Sequence, residues 1–251
     1  MSGPGGLLLN WNNRSAPGFV HGDDEAFGSV HRVELFDKFP WKVTLPDDVS
    51  VMNRAATEDV RSPVWPIVSE VLRTGPAPSA RDQSIVDLLD DWVRRDAPRL
   101  DADNSGKLDD AGPAIMDAVW RPIATAVMGR VLGAQLADVN SVRGLNGLAG
   151  ESYVDKDLRT LLGYPVNGRF NLRYCGEGSL KVCRDSLWIA LHVAADGLAQ
   201  QFGDPDPSHW LKDTERTGFQ PGLIPNTFRT TNRPTFQQVL EFQHRRPHWG
   251  R

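Results

Sequence analysis

A series of helical hydrophobic stripes between residues 46 and 203 constrains the fold more than any other feature of this chain. The strongest stripe predicts a long helix from Gly178 to Phe202, because apolar side chains recur there every three or four residues. Asp204-Pro205-Asp206-Pro207 then ends the helix. Its apolar face consists of Leu180, Cys183, Leu187, Leu191, Ala194 and Leu198.

Proline and capping residues predict where other helices begin. Pro46-Asp47-Asp48 brings acidic side chains to the positive end of a helix dipole, and Ser62-Pro63 combines a capping serine with a first-turn proline. Apolar residues from Ile85 to Trp92 mark a further helix. Pro113–Leu132 predicts a longer one, in which Pro122 should cause a kink or a break. The middle of the chain is therefore expected to be helical.

Strands are predicted only near the two ends of the chain. Leu7–Asn12 is an aliphatic run typical of a buried strand, and Ile224–Thr230 and Thr235–Phe242 are the other candidates. Ser29–Phe36 can begin a short helix, whereas the glycines of Gly133–Gly150 leave that stretch without a clear prediction. The expected fold class is α+β, largely helical with a few strands.

Charge and hydropathy argue against two kinds of partner. A net charge of −4 gives no electrostatic reason to expect binding to nucleic acid or to an anionic membrane. No apolar run approaches the roughly 20 residues that a membrane-spanning helix needs. Residues 1–9 also lack the basic start of a signal peptide.

The tripeptide Asn10-Trp11-Asn12 is the most informative motif for function. Its two asparagines lie on the same face of the predicted strand, and an amide held rigidly at a strand end is suited to donate to a developing oxyanion. The motif is followed by Asn13, Pro17, Asp23-Asp24 and Val30-His31-Arg32-Val33. In this order and spacing, the segment resembles the penicillin acylase family, which comprises amidohydrolases of the N-terminal-nucleophile superfamily.

The resemblance continues along nearly the whole chain, through Thr57–Leu72, Trp92–Trp120 and Asn232–Val239. It implies an αββα sandwich of which this chain holds an incomplete part. In the family the nucleophile begins the mature catalytic chain and the motif around Asn12 lies far inside it. The resemblance therefore predicts that residues 1–251 are the C-terminal part of the catalytic β chain. Residues 1–45 would form a strand and active-site loop, 46–203 a helical region and 204–251 the closing strands.

The resemblance also assigns roles to individual side chains near the motif. Asn12 matches the oxyanion-hole amide, while Asn10 would support the turn. Arg32 matches an arginine close to the active site, where it would orient the asparagine or pair with a substrate carboxylate; a surface ion pair is the alternative. His31 is expected to pack, because the nucleophile's own α-amine acts as the base in this family. Asp23 matches a calcium ligand, with a solvated acidic turn as the alternative.

A second calcium candidate is the loop from Asp101 to Asp109. Asp101, Asp103, Ser105, Gly106 and Asp109 fit positions one, three, five, six and nine of an EF-hand loop. Position twelve should be a bidentate glutamate, but Gly112 stands there, and the acylase family has a polar loop between helices at this point. The alternative is therefore an ordinary interhelical loop.

Ser2 and the two cysteines are the remaining candidates for a chemical role. Ser2 would become N-terminal if Met1 were removed, but it lies on the same segment as Asn12, and in the family those two groups come from remote parts of the chain. Cys175 and Cys183 flank a glycine-containing turn that would permit a disulfide; the alternative is a packed Cys183 with a free Cys175 thiol. Similar exported sequences favour the disulfide, and two thiols alone are too few for a structural zinc site.

The leading functional hypothesis is therefore the C-terminal part of an acylase, which needs the N-terminal part of the enzyme as its partner. The family is typically exported to the periplasm or the extracellular space, but without a signal peptide the location of this chain is left open. Its substrate would be a small acyl amide: a β-lactam, an acyl-homoserine lactone or a lipopeptide. The chain alone would lack the nucleophile and be inactive. The alternatives are a noncatalytic calcium-binding helical module centred on Asp101–Asp109 and an inactive gene remnant.

Overall fold

The computed structural model describes residues 14, 18–19, 31–36, 44–141, 151–166, 173–218, 222–223, 228–229, 239–243 and 246–250. The first helices are α1 (His31–Glu34), α2 (Leu45–Thr57), α3 (Trp65–Leu72) and α4 (Ala80–Arg94). They are followed by α5 (Gly112–Leu132), α6 (Gln135–Ser141), α7 (Glu151–Leu162) and α8 (Leu180–Phe202). Single 3₁₀ turns occur at Cys175–Gly178 and Pro207–His209.

The strands of the described residues form two short antiparallel ladders. β1 (Arg216–Thr217) pairs with β2 (Phe228–Arg229), and β3 (Val239–Gln243) pairs with β4 (Arg246–Gly250). β2 and most of β3 fall inside the two strand runs predicted near the C-terminal end, whereas the predicted strand Leu7–Asn12 lies outside the described residues. The described part of the chain is thus mostly helical, and none of its helices is both long and apolar enough to cross a bilayer.

Capping side chains explain where three of the helices begin. The Thr44 hydroxyl accepts the Asp47 N–H, and the Asp47 carboxylate accepts the Thr44 N–H at 3.0 Å, so that α2 starts with a capping box. Ser79 and Ser179 accept the N–H groups of Asp82 and Val182 in the same way, which caps α4 and α8. α8 then ends at Gly203, whose φ of 66° suits glycine.

One expectation about a helix start is wrong. Ser62 does not cap α3, which begins three residues later; its hydroxyl donates to Glu58 at 3.1 Å instead. The reason is a turn before the helix, in which the Asp59 carboxylate accepts the Arg61 N–H at 2.9 Å. Of the kink or break expected at Pro122, the break does not occur, because α5 continues through the proline to Leu132. Core residues on either side of the proline are fully buried and hold the helix together.

The main core is built around α5 and α8, which pack along each other and against α3, α4 and α7. Its largest fully buried side chains include Trp65, Trp92 and Trp210. A second, smaller cluster joins the end of α1 to α2 and to the following turn. It consists of Leu35, Phe36, Val51, Ala55 and Val60.

Candidate functional site

Arg32 is the one residue of the expected active site that falls among the described residues, since Asn12 and Asp23 lie outside them. It is partly buried on α1. The neighbouring His31 is buried, and its Nδ1 lies 2.6 Å from the Glu34 carboxylate. This burial is what a packing role for His31 requires. The position of Arg32 depends on the small core that fixes α1 to α2.

Three carboxylates converge in the loop between α4 and α5. One oxygen each of Asp101, Asp103 and Asp109 lies within 4.8 Å of the others. Asp101 is buried at the base of the group, while Asp103 and Asp109 are exposed. The Asp101 carboxylate accepts hydrogen bonds from the Gly106 N–H at 3.3 Å and the Thr214 hydroxyl at 2.9 Å. The arrangement can bind a hard cation, for which carboxylate oxygens are the preferred ligands.

The backbone of this acidic loop is anchored to the segment after α8. The Leu108 N–H donates to the Lys212 carbonyl at 2.9 Å, and the Thr214 N–H donates to the Gly106 carbonyl at 2.9 Å. Gly106, with a φ of 87°, provides the sharp turn that brings Asp101 and Asp109 back together. Sequence inspection found the three carboxylates by their spacing, but it missed Thr214, which has no local pattern to mark it.

The loop departs from a complete EF-hand at its end. Gly112 occupies position twelve and is already the first residue of α5. The nearby Asp110 cannot easily replace the missing glutamate, because its carboxylate accepts the Gly112 N–H at 3.0 Å and pairs with Arg95 at 2.5 Å. A cation here would have three carboxylates and would need further oxygen ligands from water or the backbone.

A network of buried and half-buried charges lies beside the acidic loop. Arg61 Nη2 donates to Asp59 at 2.5 Å and to Asp117 at 2.6 Å. Arg99 joins the same two carboxylates at 2.8 Å each. Lys212, whose carbonyl holds the loop, donates from Nζ to Asp117 at 2.6 Å. The network therefore links α5 to the turn before α3, to the segment before the acidic loop and to the segment after α8.

Burial and charge oppose each other at the two carboxylates of this network. Burial by itself would raise the pKa of Asp59, but the charge and hydrogen bonds of Arg61 outweigh it and lower that pKa below its ordinary value. Burial also acts to raise the pKa of Asp117, but hydrogen bonds from Arg99 and the charge of Arg61 lower it far more. Both groups are therefore held as carboxylates.

Cys175 and Cys183 are joined in a disulfide across the turn that leads into α8. Asp157 on α7 supports this turn, because its carboxylate accepts the N–H groups of Tyr174 and Cys175. Burial raises the pKa of Asp157, and these two hydrogen bonds only partly counter it. The turn has no room for a side chain at Gly176, since a Cβ there would lie 2.4 Å from the Cys183 nitrogen.

The architecture matches that of a known class of enzyme. The thermostable penicillin G acylase from Alcaligenes faecalis, solved in an orthorhombic form, superimposes with a TM-score of 0.67 over 98% of this chain, at 18% sequence identity. The match covers 47% of the acylase chain, so this chain spans about half the length of that one. A comparison with curated proteins gives no match.

The family model of penicillin amidases matches residues 2–242, which is nearly the whole chain. The chain therefore belongs to the penicillin amidase family, and the resemblance deduced from the sequence is confirmed. The match includes the segment from Asn10 to Arg32 that first suggested the family.

Proposed function

We propose that this chain is part of an acylase-type amidohydrolase and supplies the oxyanion-hole amide of its active site. The observation that carries the proposal is the family match, which runs through both Asn12 and Arg32. The substrate would be a small acyl amide such as a β-lactam, an acyl-homoserine lactone or a lipopeptide. The mostly helical body would complete one side of an N-terminal-nucleophile sandwich.

In this mechanism a nucleophile attacks the amide carbonyl, and its own α-amine takes up the proton. The carbonyl oxygen becomes negatively charged, and the Asn12 side-chain N–H donates to it. The amine then leaves with a proton, and water hydrolyses the acyl-enzyme ester to release the acid. Arg32 would orient Asn12 or the substrate, since a guanidinium can hold a carbonyl or carboxylate oxygen with paired donors. The nucleophile would come from the half of the family's length that this chain does not span.

The partner would therefore be the N-terminal part of such an acylase. We expect the assembled enzyme to work in an exported, oxidising compartment, because disulfides such as Cys175–Cys183 persist there and are rare in the cytosol. Residues 1–45 would contribute to the active site, 46–203 would form the supporting helices and 204–251 the closing strands.

The proposal is tested by co-expressing the chain with the N-terminal part of a related acylase and measuring hydrolysis of a chromogenic acyl anilide. Asn12→Ala should lower turnover roughly 10²–10³-fold, which is about 3–4 kcal/mol of transition-state stabilisation. KM should change much less, because the donor acts on charge that develops only in the transition state.

Asn10→Ala is the matched control, because it removes the other amide of the motif. It should reduce stability more than turnover per folded molecule. Equal turnover in Asn12→Ala and the parent would remove Asn12 from the mechanism, and an inactive parent assembly would favour the gene-remnant reading. Without the partner, the chain should not hydrolyse the anilide; activity that Ser2→Ala abolishes would show that Ser2 is the nucleophile after all.

Calcium binding by the acidic loop is a second candidate function, favoured by the convergence of Asp101, Asp103 and Asp109 within 4.8 Å. With three carboxylates and no bidentate glutamate, the affinity should be low, with a Kd on the order of 10⁻⁴–10⁻³ M. The site would brace the loop against the segment around Thr214.

Calorimetric titration with calcium tests this candidate. Asp103→Asn should weaken binding, because it removes an exposed ligand without disturbing the buried Asp101. Asp87→Asn should not, because Asp87 is an exposed carboxylate of α4 that pairs with Arg73 and does not belong to the loop. If Asp23→Asn alone abolishes binding, calcium binds at the position implied by the family instead. No heat of binding at millimolar calcium would exclude both sites in the free chain.

A further inference from the structure

The outward face of α8 carries an apolar stripe that nothing among the described residues covers. Val182, Ile189 and Val193 are 38%, 66% and 63% exposed. Their spacing of seven and four residues places them on one line along the helix, opposite the side that packs on α5. Ser186, a small residue, lies between the first two. A stripe of this length on a helix surface is suited to packing against a second helix.

A recess borders the middle of the stripe. It has a volume of about 370 Å³ and lies between α8 and the turn that joins α3 to α4. Pro76, Pro78 and Trp188 form its apolar walls, while Asp185 and His192 stand at its two ends along the helix. An aliphatic side chain from a neighbouring helix would fit into it.

The charges beside the stripe are arranged symmetrically. On this flank Lys181 precedes Asp185 by four residues, and His192 precedes Asp196 by four. A reversed copy of α8 can be laid against the helix with its centre between Trp188 and Ile189. Lys181 of one helix then lies opposite Asp196 of the other, and Asp185 lies opposite His192. The other flank carries no charge at Ser186, Ala190 and Gly197, so a reversed copy meets no repulsion there.

From this symmetry we propose that α8 pairs antiparallel with α8 of a second copy of the chain. The two-fold axis passes between Trp188 and Ile189, so that Ile189 enters the recess of the other copy close to the axis, while Val182 and Val193 lie on either side of it along the stripe. Antiparallel helices have opposed dipoles, and in such a pair each flank faces the same flank of the other helix. A second copy matches this order of charges along the whole flank.

The existing ion pairs around the stripe are compatible with this arrangement. Lys181 pairs with Asp185 at 2.6 Å and Arg81 pairs with Asp196 at 2.5 Å, and all four side chains are exposed or half-buried. One of these pairs lies within α8 and the other joins α4 to α8, and His192 also lies 3.0 Å from the buried Asp82 of α4. Lys181, Asp185 and Asp196 would therefore add contacts between the copies to pairs that they already make within one copy. The interface is small, so self-association should be weak, with a Kd of about 10–100 µM.

Analytical ultracentrifugation of the 251-residue chain tests the pairing. The parent should form a dimer at high concentration, and Ile189→Asp should weaken it about tenfold or more, because it buries an unpaired charge. Val131→Asp is the matched control, since Val131 is also half exposed but lies at the end of α5. A parent that stays monomeric would overturn the proposal, as would a dimer that Ile189→Asp leaves intact.

Cysteine cross-linking tests the antiparallel direction. The variant Ile189→Cys should form a disulfide-linked dimer on mild oxidation, because the two copies of that residue meet at the axis, and the two native cysteines do not interfere because they are bonded to each other. Val182→Cys should not, because the two copies of that residue would lie about 20 Å apart along the helices. Efficient cross-linking by Val182→Cys would indicate parallel helices and refute the proposed pairing.

Discussion

Replacing Asp117 with alanine should destabilise the folded chain by about 2–4 kcal/mol, because this carboxylate holds three cations together. It accepts hydrogen bonds from Arg61 at 2.6 Å, from Arg99 at 2.8 Å and from Lys212 at 2.6 Å. Hydrogen bonds between charged groups contribute about 1.5–3 kcal/mol each. The total loss of stability is smaller than the sum of three such bonds, because Arg61 and Arg99 still pair with Asp59 in the variant. In addition, the Asp117 side chain is 33% exposed, so that water partly replaces its contacts.

Urea unfolding followed by circular dichroism measures this loss, and the thermal midpoint should fall by about 5–15 °C for a chain of this size. Asp87→Ala is the matched control. Asp87 is 57% exposed, and its partner Arg73 also pairs with Asp90. Its removal should cost about 0.5 kcal/mol or less. Equal losses in the two variants, or a loss under about 1 kcal/mol for Asp117→Ala, would refute the reasoning.

The effect should also depend on pH in a defined direction. The pKa of Asp117 is lowered in the folded state, so its contribution is present above the unfolded-state pKa of about 4 and is lost as the pH falls below it. The difference between the parent and Asp117→Ala should therefore be constant at neutral pH and shrink in acid. A difference that grows as the pH falls would contradict this sign.

Two further predictions concern close packing and the disulfide turn. Gly112→Ala should destabilise the chain by about 1–3 kcal/mol, because the new Cβ would lie 2.2 Å from the buried indole of Trp92. Gly75→Ala is the control and should be tolerated, because its new Cβ meets only a movable arginine side chain. Urea unfolding measures the stability of both variants. Asp157→Ala should cost about 1–3 kcal/mol and make the Cys175 disulfide easier to reduce, because two backbone N–H groups lose their acceptor. Alkylation after graded reduction, read by mass spectrometry, should show more free thiol in this variant than in the parent.

Helices with a strong stripe or a clear cap could be predicted from the sequence, but those whose ends depend on distant contacts could not. The long helix predicted over Gly178–Phe202 appears as Leu180–Phe202, because its apolar spacing and capping serine act locally. α7 was not predicted, although Val154 and Leu158 are buried four residues apart. Its single short stripe, between two glycine-containing segments, gave a weak signal. Ser62 was misread, because the Asp59 turn competes for the same backbone.

The candidate sites show the same division between local and distant information. The spacing from Asp101 to Asp109 predicted a group of carboxylates, because all three lie in one loop. The ion network could not be predicted, since Asp117 meets partners that are distant in sequence, such as Arg61 and Lys212. The roles of Asn12 and Asp23 stay predictions, because both lie outside the described residues.

The small core beneath Arg32 has a consequence for the dynamics of the expected active site. Five buried residues hold α1 to α2, compared with the much larger cluster around α5 and α8. A region with so few apolar contacts can open locally at a fraction of the free energy of global unfolding. Amide hydrogens of α1 should therefore exchange with solvent long before those of α5. Local opening would move α1, and Arg32 with it, and binding of a partner at this end would slow that exchange.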